Sequence, residues 1–219
     1  MRVALYFGTF NPIHVGHLII ANHMAQQPEI DQVWLVVTPQ NPHKDKATLL
    51  ADQLRLDMVR EAIYEQPNLR ASDIEFLLPK PNYTISTLTH LQELYPKHVF
   101  SLVMGADNLR SFHKWYNWEQ ILEHHTIFVY PRLLEQSETA EMDAKLLGHP
   151  HIYLVQDVPI LGISASQIRA KLAAGLDCSY LLTEPVLQYI KKAGCIKKRD
   201  HKKGGAWPPF SMCLKSIKT

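Results

Sequence analysis

Two histidines stand three residues apart just after the first apolar run of the chain. Residues 2–7 have the composition of a buried strand, and Gly8 follows in a turn where the backbone can approach a ligand closely. A helix that begins near His14 or Val15 places His14 and His17 on the same side of its first turn. The unpaired N–H groups and the dipole of that turn favour an anion. The pattern therefore favours a phosphate site built from two imidazoles and a helix N-terminus.

Two other interpretations of the histidine pair remain open at this point. The rings could cap the helix or pack in the core, as a single histidine commonly does. They could also bind a metal ion, but a pair at this spacing needs a third ligand, and no acidic residue nearby supplies one.

Short runs that are apolar on both faces alternate with segments of helical periodicity, which is typical of strands covered by helices on two sides. The predicted strands occupy residues 2–7, 32–37, 98–104, 126–130 and 151–155, with a weaker one at 69–73. The predicted helices occupy residues 15–27, 51–65, 84–95, 106–123, 137–147, 164–174 and 183–193. The alternation predicts a Rossmann-like α/β fold, an open parallel sheet that binds ligands at the carboxyl ends of its strands.

The length of 219 residues fits one globular domain with a short appendage. We assign residues 1–196 to the domain and residues 197–219 to a tail. The tail contains a basic run, Gly-Gly and Pro-Pro without any periodicity, so we predict that it is poorly ordered. The formal net charge of +2 is too small to indicate a nucleic-acid or membrane partner, and contact of the tail with RNA is only a minor alternative.

The three cysteines are scattered late in the chain, which suggests reduced thiols rather than a disulfide framework. The first residues leave no room for a signal peptide before the Gly-Thr turn, and no run approaches the ~20 apolar residues of a membrane-spanning helix. We therefore expect a cytoplasmic protein. Its oligomeric state is open, and a homo-oligomer is compatible with the sequence.

The stretch GTFNPIHVGH at residues 8–17 resembles the Gly-Thr-Phe-x-Pro-x-His-x-Gly-His signature of nucleotidyltransferases in the superfamily of class I aminoacyl-tRNA synthetases. Further stretches narrow the resemblance to the bacterial nicotinate-nucleotide adenylyltransferase family. They are NPHK at 41–44, YTISTL at 83–88, GADNLRSFHKWYNW at 105–118 and GISASQIR at 162–169. Because these stretches follow the order of the family and span most of the chain, the resemblance implies the nucleotidyltransferase fold.

Three positions depart from the pattern of that family. Phe7 stands where the family usually has Gly, and Asn11 stands where it usually has Asp. Ala165 replaces a serine, while the hydroxyls of Ser164 and Ser166 on either side remain. Asn11 retains the turn chemistry of Asp, so only the detailed contacts at these positions are in question.

The resemblance implies an enzyme that transfers AMP from ATP to nicotinate mononucleotide, with nicotinate adenine dinucleotide and pyrophosphate as products. This is the step before NAD in NAD biosynthesis. The attacking phosphate is already anionic and needs no general base, so catalysis would depend on alignment and on stabilising phosphoryl charge. Mg²⁺ is implied by the use of ATP, and the sequence shows no dedicated carboxylate cage for it.

Candidate roles follow from the resemblance and from the chemistry of each side chain. The candidate catalytic residues, which would meet the phosphates of ATP, are His14, His17, Lys44 and Arg169. Further candidates for contact with ATP are Gly8, Thr9, Phe10, Gly105, Asp107, Ile163, Ser164 and Ser166, with Asp107 accepting from ribose hydroxyls. Candidates for contact with the mononucleotide are Thr84, Thr87, Lys44, Trp115 and Tyr116, with the pyridine ring on the last two.

Each role has a structural alternative: a solvated loop for Lys44, a capped helix for residues 164–169 and for Asp107, and core packing for the aromatic pair. Two functional alternatives also remain. A phosphopantetheine adenylyltransferase or cytidylyltransferase would share the histidine pair but not Trp115 and Tyr116. A non-catalytic nucleotide-binding protein would be expected to lose some of the candidate catalytic residues, and none is lost.

Overall fold

The sheet of the protein is parallel throughout and has six strands in the order β3-β2-β1-β4-β5-β6. The structure is a computed structural model that describes residues 1–39, 49–132, 144–159 and 161–195. The strands are β1 Arg2–Gly8, β2 Gln32–Val37, β3 Leu69–Ser72, β4 Val99–Gly105, β5 Ile127–Tyr130 and β6 Ile152–Leu154. All six predicted strands are confirmed, including the weak one. The strand order reverses between β1 and β4, and this switch opens a crevice at their carboxyl ends.

Helices cover both faces of this sheet. They are α1 Val15–Ala25, α2 Asp52–Ile63, α3 Thr84–Leu94, α4 Ala106–Arg110, α5 Trp118–His124, α6 Ala144–Leu147, α7 Ala165–Ala173 and α8 Glu184–Ala193. Along β1, Ala4 and Tyr6 contribute to one core, together with residues of α1, α2, α7 and α8. Val3 and Leu5 contribute to the other, together with residues of α3, α4 and α5. The predicted doubly covered sheet is therefore confirmed.

The continuous helix predicted for residues 106–123 is wrong, because the chain breaks there into two helices. A 3-10 turn at Phe112–Lys114 follows α4, and α5 starts only after Asn117, whose φ of 52° is left-handed. Asparagine is one of the few residues that adopt this conformation readily. The break places Trp115 and Tyr116 in the short segment between the 3-10 turn and α5, outside both helices.

Several predictions fall on parts of the chain outside the described residues. The predicted helix at 137–147 is described only from residue 144 onwards, and the predicted tail and the loop that carries Lys44 lie wholly outside. The division into a domain and a tail therefore stays a prediction. Among the described helices, none is long and apolar enough to cross a membrane.

Arg55 on α2 is completely buried and binds the loops that follow β1 and β2. Its Nε donates to the carbonyl of Leu50 at 3.0 Å, and its Nη1 donates to the carbonyls of Thr9 and Thr38 at 2.6 and 2.9 Å. Its Nη2 pairs with the half-buried carboxylate of Asp52 at 2.7 Å. One guanidinium thus satisfies three backbone carbonyls and fixes the first loop of the crevice to α2.

We expect Arg55→Ala to lower the free energy of unfolding by roughly 3–5 kcal/mol, because it leaves buried carbonyls without donors. Urea denaturation followed by circular dichroism measures this loss. Arg60→Ala is the matched control on the same helix, since Arg60 is 54% exposed and its pair with Asp57 should contribute less than about 1 kcal/mol. Equal losses in the two variants would contradict the role given to Arg55.

Candidate active site

A cleft of about 1000 Å³ opens at the carboxyl ends of β1 and β4, where the strand order reverses. Most of the predicted site residues line it, although they come from stretches far apart in the sequence. They are Gly8, Thr9, Phe10, His14, His17, Thr84, Gly105, Trp115, Tyr116, Ile163, Ser164, Ser166 and Arg169. The fold therefore brings the signature stretches to one place.

Two predicted site residues are not among the lining residues that the structure describes. Thr87 is fully buried, and its hydroxyl donates to Oε1 of Glu75 at 2.8 Å. Asp107 instead pairs with Arg132, whose Nη1 lies 2.9 Å from its Oδ2. Direct ligand contacts of these two residues stay predictions, as does the role of Lys44, which lies outside the described residues.

The two histidines begin α1 as predicted, with His14 at the N-cap in an extended conformation. Their rings stack with centroids 3.7 Å apart and planes inclined by 28°. The backbone N–H of His14 donates to Nδ1 of His17 at 3.3 Å. Because an accepting ring nitrogen carries no proton, the proton of neutral His17 lies on Nε2. The His17 ring is thus held in the tautomer with its proton on Nε2, which can donate to an anion.

Two glycines make room for this arrangement. Phe10 has a left-handed φ of 43°, and its buried ring meets His17 edge-on at 5.1 Å. A Cβ on Gly8 would lie 2.7 Å from the Phe10 ring, and one on Gly16 would lie 3.1 Å from Nδ1 of His14. A side chain at position 8 would therefore displace the buried ring of Phe10, and one at position 16 would press tightly against the ring of His14.

Burial and the positive charge of Arg132 lower the pKa of His14 to about 4. Near pH 7 this ring is therefore neutral, so it acts through a single N–H donor rather than through a formal charge. The formal positive charges that line the cleft, within the described part of the chain, are Lys114, Arg132 and Arg169.

The N-terminus of α7 is fixed to the loop after β1 by Arg169. Its Nη1 donates to the carbonyl of Asn11 at 2.8 Å, and its Nη2 donates to the hydroxyl of Ser166 at 3.2 Å. Ser164 caps the helix by accepting from the N–H of Gln167 at 3.3 Å. The capped helix expected as the structural alternative is thus present, and it lies at the cleft, where the same groups can meet phosphates.

Aromatic side chains border the opposite side of the cleft. Trp115 is half-buried and packs edge-on against Phe112 with centroids 5.4 Å apart. Tyr116 is 59% exposed, and its ring lies 5.1 Å from that of Tyr83. Tyr83 precedes Thr84, the first residue of α3, so this aromatic cluster stands beside a second helix N-terminus that lines the cleft.

The family comparisons agree with this geometry. The model of the cytidylyltransferase-like family matches residues 5–171. The chain is 52% identical over 198 residues to a "Probable nicotinate-nucleotide adenylyltransferase" of Flavobacterium johnsoniae, across 90% of this chain and 100% of the relative. A relative of the same name from Flavobacterium psychrophilum is 50% identical over 198 residues, with the same coverage. The chain belongs to the nicotinate-nucleotide adenylyltransferase family.

A solved structure supports the fold of this adenylyltransferase family member. It is the nicotinic acid mononucleotide adenylyltransferase of Plasmodium falciparum, complexed with NaAD. The TM-score is 0.70 at 20% sequence identity, over 87% of this chain and 95% of that chain. The nucleotidyltransferase fold expected from the sequence is thereby confirmed.

The departure at Asn11 from the usual adenylyltransferase sequence has a structural explanation. Its side chain is only 2% exposed, and Oδ1 accepts from the backbone N–H of Leu50 at 3.2 Å. A neutral amide meets this bond without burying a charge, which an aspartate there would do. The replacement therefore preserves the loop after β1 in a form suited to its buried position.

Some cleft residues of this adenylyltransferase could not be identified from the sequence. Glu75 and Asn82 line the cleft, and Nδ2 of Asn82 donates to the backbone carbonyl of Glu75 at 3.0 Å. Burial raises the pKa of Glu75, while the hydroxyls of Thr87 and Thr38 partly offset the rise. These residues lie on a non-repetitive stretch after β3, where no periodicity or known motif points to them.

Two tyrosines outside the signature stretches form part of the cleft wall. The hydroxyl oxygens of Tyr6 on β1 and Tyr130 on β5 lie 3.3 Å apart. Burial raises the pKa of both hydroxyls. The two phenols therefore stay protonated near neutral pH.

The lowered pKa of His14 predicts a specific loss of stability in acid. Below the ordinary pKa of 6.5 the unfolded chain takes up a proton that the folded chain does not, so stability falls from pH 6.5 down to about pH 4. We expect His14 to account for roughly 3 kcal/mol of the decrease in unfolding free energy over this range. Urea denaturation of the wild type and of His14→Asn, at several pH values, isolates this part. Parallel pH profiles for the two proteins would contradict the prediction.

Proposed function

We propose that the cleft transfers AMP from ATP to nicotinate mononucleotide. A phosphate oxygen of the mononucleotide attacks the α-phosphorus of ATP, a new P–O bond forms, and the bond to the bridging oxygen breaks. The products are nicotinate adenine dinucleotide and pyrophosphate. The observation that carries the proposal is the stacked pair His14–His17 at the start of α1, beside the capped N-terminus of α7. The relatives named for this activity, at about half identity, support the choice of substrates.

The arrangement suits a reaction that needs no general base. The attacking phosphate is already an anion, so the protein has to align two mutually repelling anions and stabilise the charge at phosphorus. We assign to Nε2 of His17 the donation to the α-phosphoryl group in the transition state. We assign to Arg169, Ser166 and the first N–H groups of α7 the β- and γ-phosphates that leave.

The metal is proposed as Mg²⁺ bound with ATP. Among the described residues, no group of three His, Cys, Asp or Glu side chains could hold a metal ion. An ion that binds together with ATP takes its ligands mainly from phosphate oxygens and water, as is usual for Mg²⁺ with nucleotides, so it needs few ligands from the protein. When bound, the ion would reduce the negative charge of the triphosphate.

The aromatic side of the cleft is the proposed site of the pyridine ring. Trp115 and Tyr116 provide flat faces on which a heteroaromatic ring can stack. The N-terminus of α3 at Thr84 lies on the same side, and its free N–H groups favour an anionic carboxylate over a neutral amide. We therefore propose that the acid mononucleotide is preferred to the amide. A cytoplasmic location also stays part of the proposal, supported by the buried free thiol of Cys178.

A pyrophosphate assay tests the proposed function directly. The protein is incubated with ATP and Mg²⁺ together with nicotinate mononucleotide, nicotinamide mononucleotide or phosphopantetheine. We expect pyrophosphate release mainly with the first. Release only with phosphopantetheine would favour the runner-up transferase, and no release with any acceptor would favour a non-catalytic nucleotide-binding protein.

His17→Asn should lower kcat by about 10²–10³, because one preorganised donor to the transition state is lost. The Oδ1 of asparagine can still accept from the backbone N–H of His14, so the melting temperature should change little. His90→Ala on α3 serves as the control, since His90 is not a lining residue of the cleft. Turnover close to that of the wild type in His17→Asn would remove His17 from the catalytic role.

Trp115→Ala should raise the KM for nicotinate mononucleotide about tenfold, which corresponds to the loss of one aromatic stacking contact. The KM for ATP should stay within about twofold. Trp115→Phe keeps an aromatic face and should recover most of the loss. Equal changes in both KM values would place the pyridine ring elsewhere.

A further inference from the structure

Arg132 lies just beyond the end of β5, at the carboxyl edge of the sheet, and lines the cleft. Its side chain is 44% exposed, and within the described part of the chain its ion-pair partner is Asp107, at 2.9 Å. Asp107 belongs to α4, which directly follows β4. The pair therefore joins the ends of two neighbouring strands at the place where the cleft opens.

The charge of Arg132 acts on the centre of the cleft. It contributes to the lowered pKa of His14, and it opposes the rise in pKa that burial causes in Tyr6 and Tyr130. These groups belong to β1, β5 and the N-cap of α1, so the guanidinium is close enough to influence both His14 and the tyrosine pair. Arg132 lines the same cleft as His14 and His17, so its positive charge is available to an anion bound there.

Arg132 can exchange its ion pair with Asp107 for a contact with a phosphate. Partly exposed ion pairs contribute at most about 1 kcal/mol to stability, whereas an arginine that binds a phosphate forms shorter, charge-assisted and often bidentate hydrogen bonds. Oδ1 of Asp107 is buried and has no hydrogen-bond partner among the described residues. The oxygen that Arg132 binds is Oδ2, so its departure releases Oδ2 of Asp107 as an acceptor for a hydroxyl group.

We propose that Arg132 is a further substrate-binding residue, which leaves Asp107 when a nucleoside triphosphate enters and donates to its phosphate oxygens. Asp107 then accepts from the ribose hydroxyls of the same nucleotide. In the free protein the carboxylate of Asp107 pairs with the guanidinium of Arg132 and keeps it at the cleft. The inference rests on the proposed function, since it assigns one more cation to the ATP that this function requires.

Binding of ATP with Mg²⁺ and of adenosine, each measured by isothermal titration calorimetry without the mononucleotide, tests the proposal. In Arg132→Met we expect the affinity for ATP to fall at least tenfold and that for adenosine to change less than twofold, because adenosine has no phosphates. Arg132→Lys keeps the charge but not the fork of donors and should show an intermediate loss for ATP. Arg60→Met is the control, since Arg60 is also an exposed arginine paired with an aspartate but does not line the cleft.

A second readout separates binding from support of the fold. In Arg132→Met the pKa of His14, followed by NMR of the ring protons, should rise from about 4 while the melting temperature stays close to that of the wild type. Equal losses of affinity for ATP and adenosine, or an unchanged affinity for ATP, would overturn the proposal. Failure of pyrophosphate release in the wild type, combined with selective loss of ATP binding in Arg132→Met, would overturn the proposed function but not the role of Arg132.

Discussion

The loop after β1 is held from two sides by guanidinium groups, and the cleft depends on this restraint. Arg55 reaches it from the core and binds the carbonyl of Thr9, while Arg169 reaches it from α7 and binds the carbonyl of Asn11. The loop leads directly into His14, so the position of the histidine pair follows from these two contacts. A turn of this kind has few backbone partners of its own, and long side chains from distant helices supply them.

In the proposed reaction, oriented neutral donors act on the phosphates together with the formal charges of the cleft. The imidazole of His14 is neutral near pH 7, and the starts of α3 and α7 offer backbone N–H groups, whereas the N–H of Val15 at the start of α1 already donates to the carbonyl of Leu181 at 3.0 Å. Neutral donors held in place cost little reorganisation when charge moves from the attacking oxygen to the leaving group. The formal cations that line the cleft add charge to the nucleotide binding proposed above.

Most elements of the fold could be predicted from the sequence, because five of the six strands are short apolar runs and helices such as α2 and α8 have a clear period. The failure at residues 106–123 has a local cause, since the apolar periodicity continues across the left-handed Asn117 that breaks the helix. The histidine pair and the residues of α7 could be predicted because they lie in recognisable motifs. Arg55, Glu75 and Arg132 could not, because their importance comes from contacts with residues distant in the sequence.

The tyrosine pair of β1 and β5 gives the cleft wall a polar group that can change direction. Gly105 of β4 lies between these strands, and a Cβ there would be 3.3 Å from the hydroxyl of Tyr130, so the absence of a side chain lets the two phenols meet. Two hydroxyls that share one hydrogen bond retain a second proton, which can turn towards another acceptor. This part of the cleft wall thus carries an O–H group that can rotate towards an acceptor, where rigid main chain would present a fixed direction.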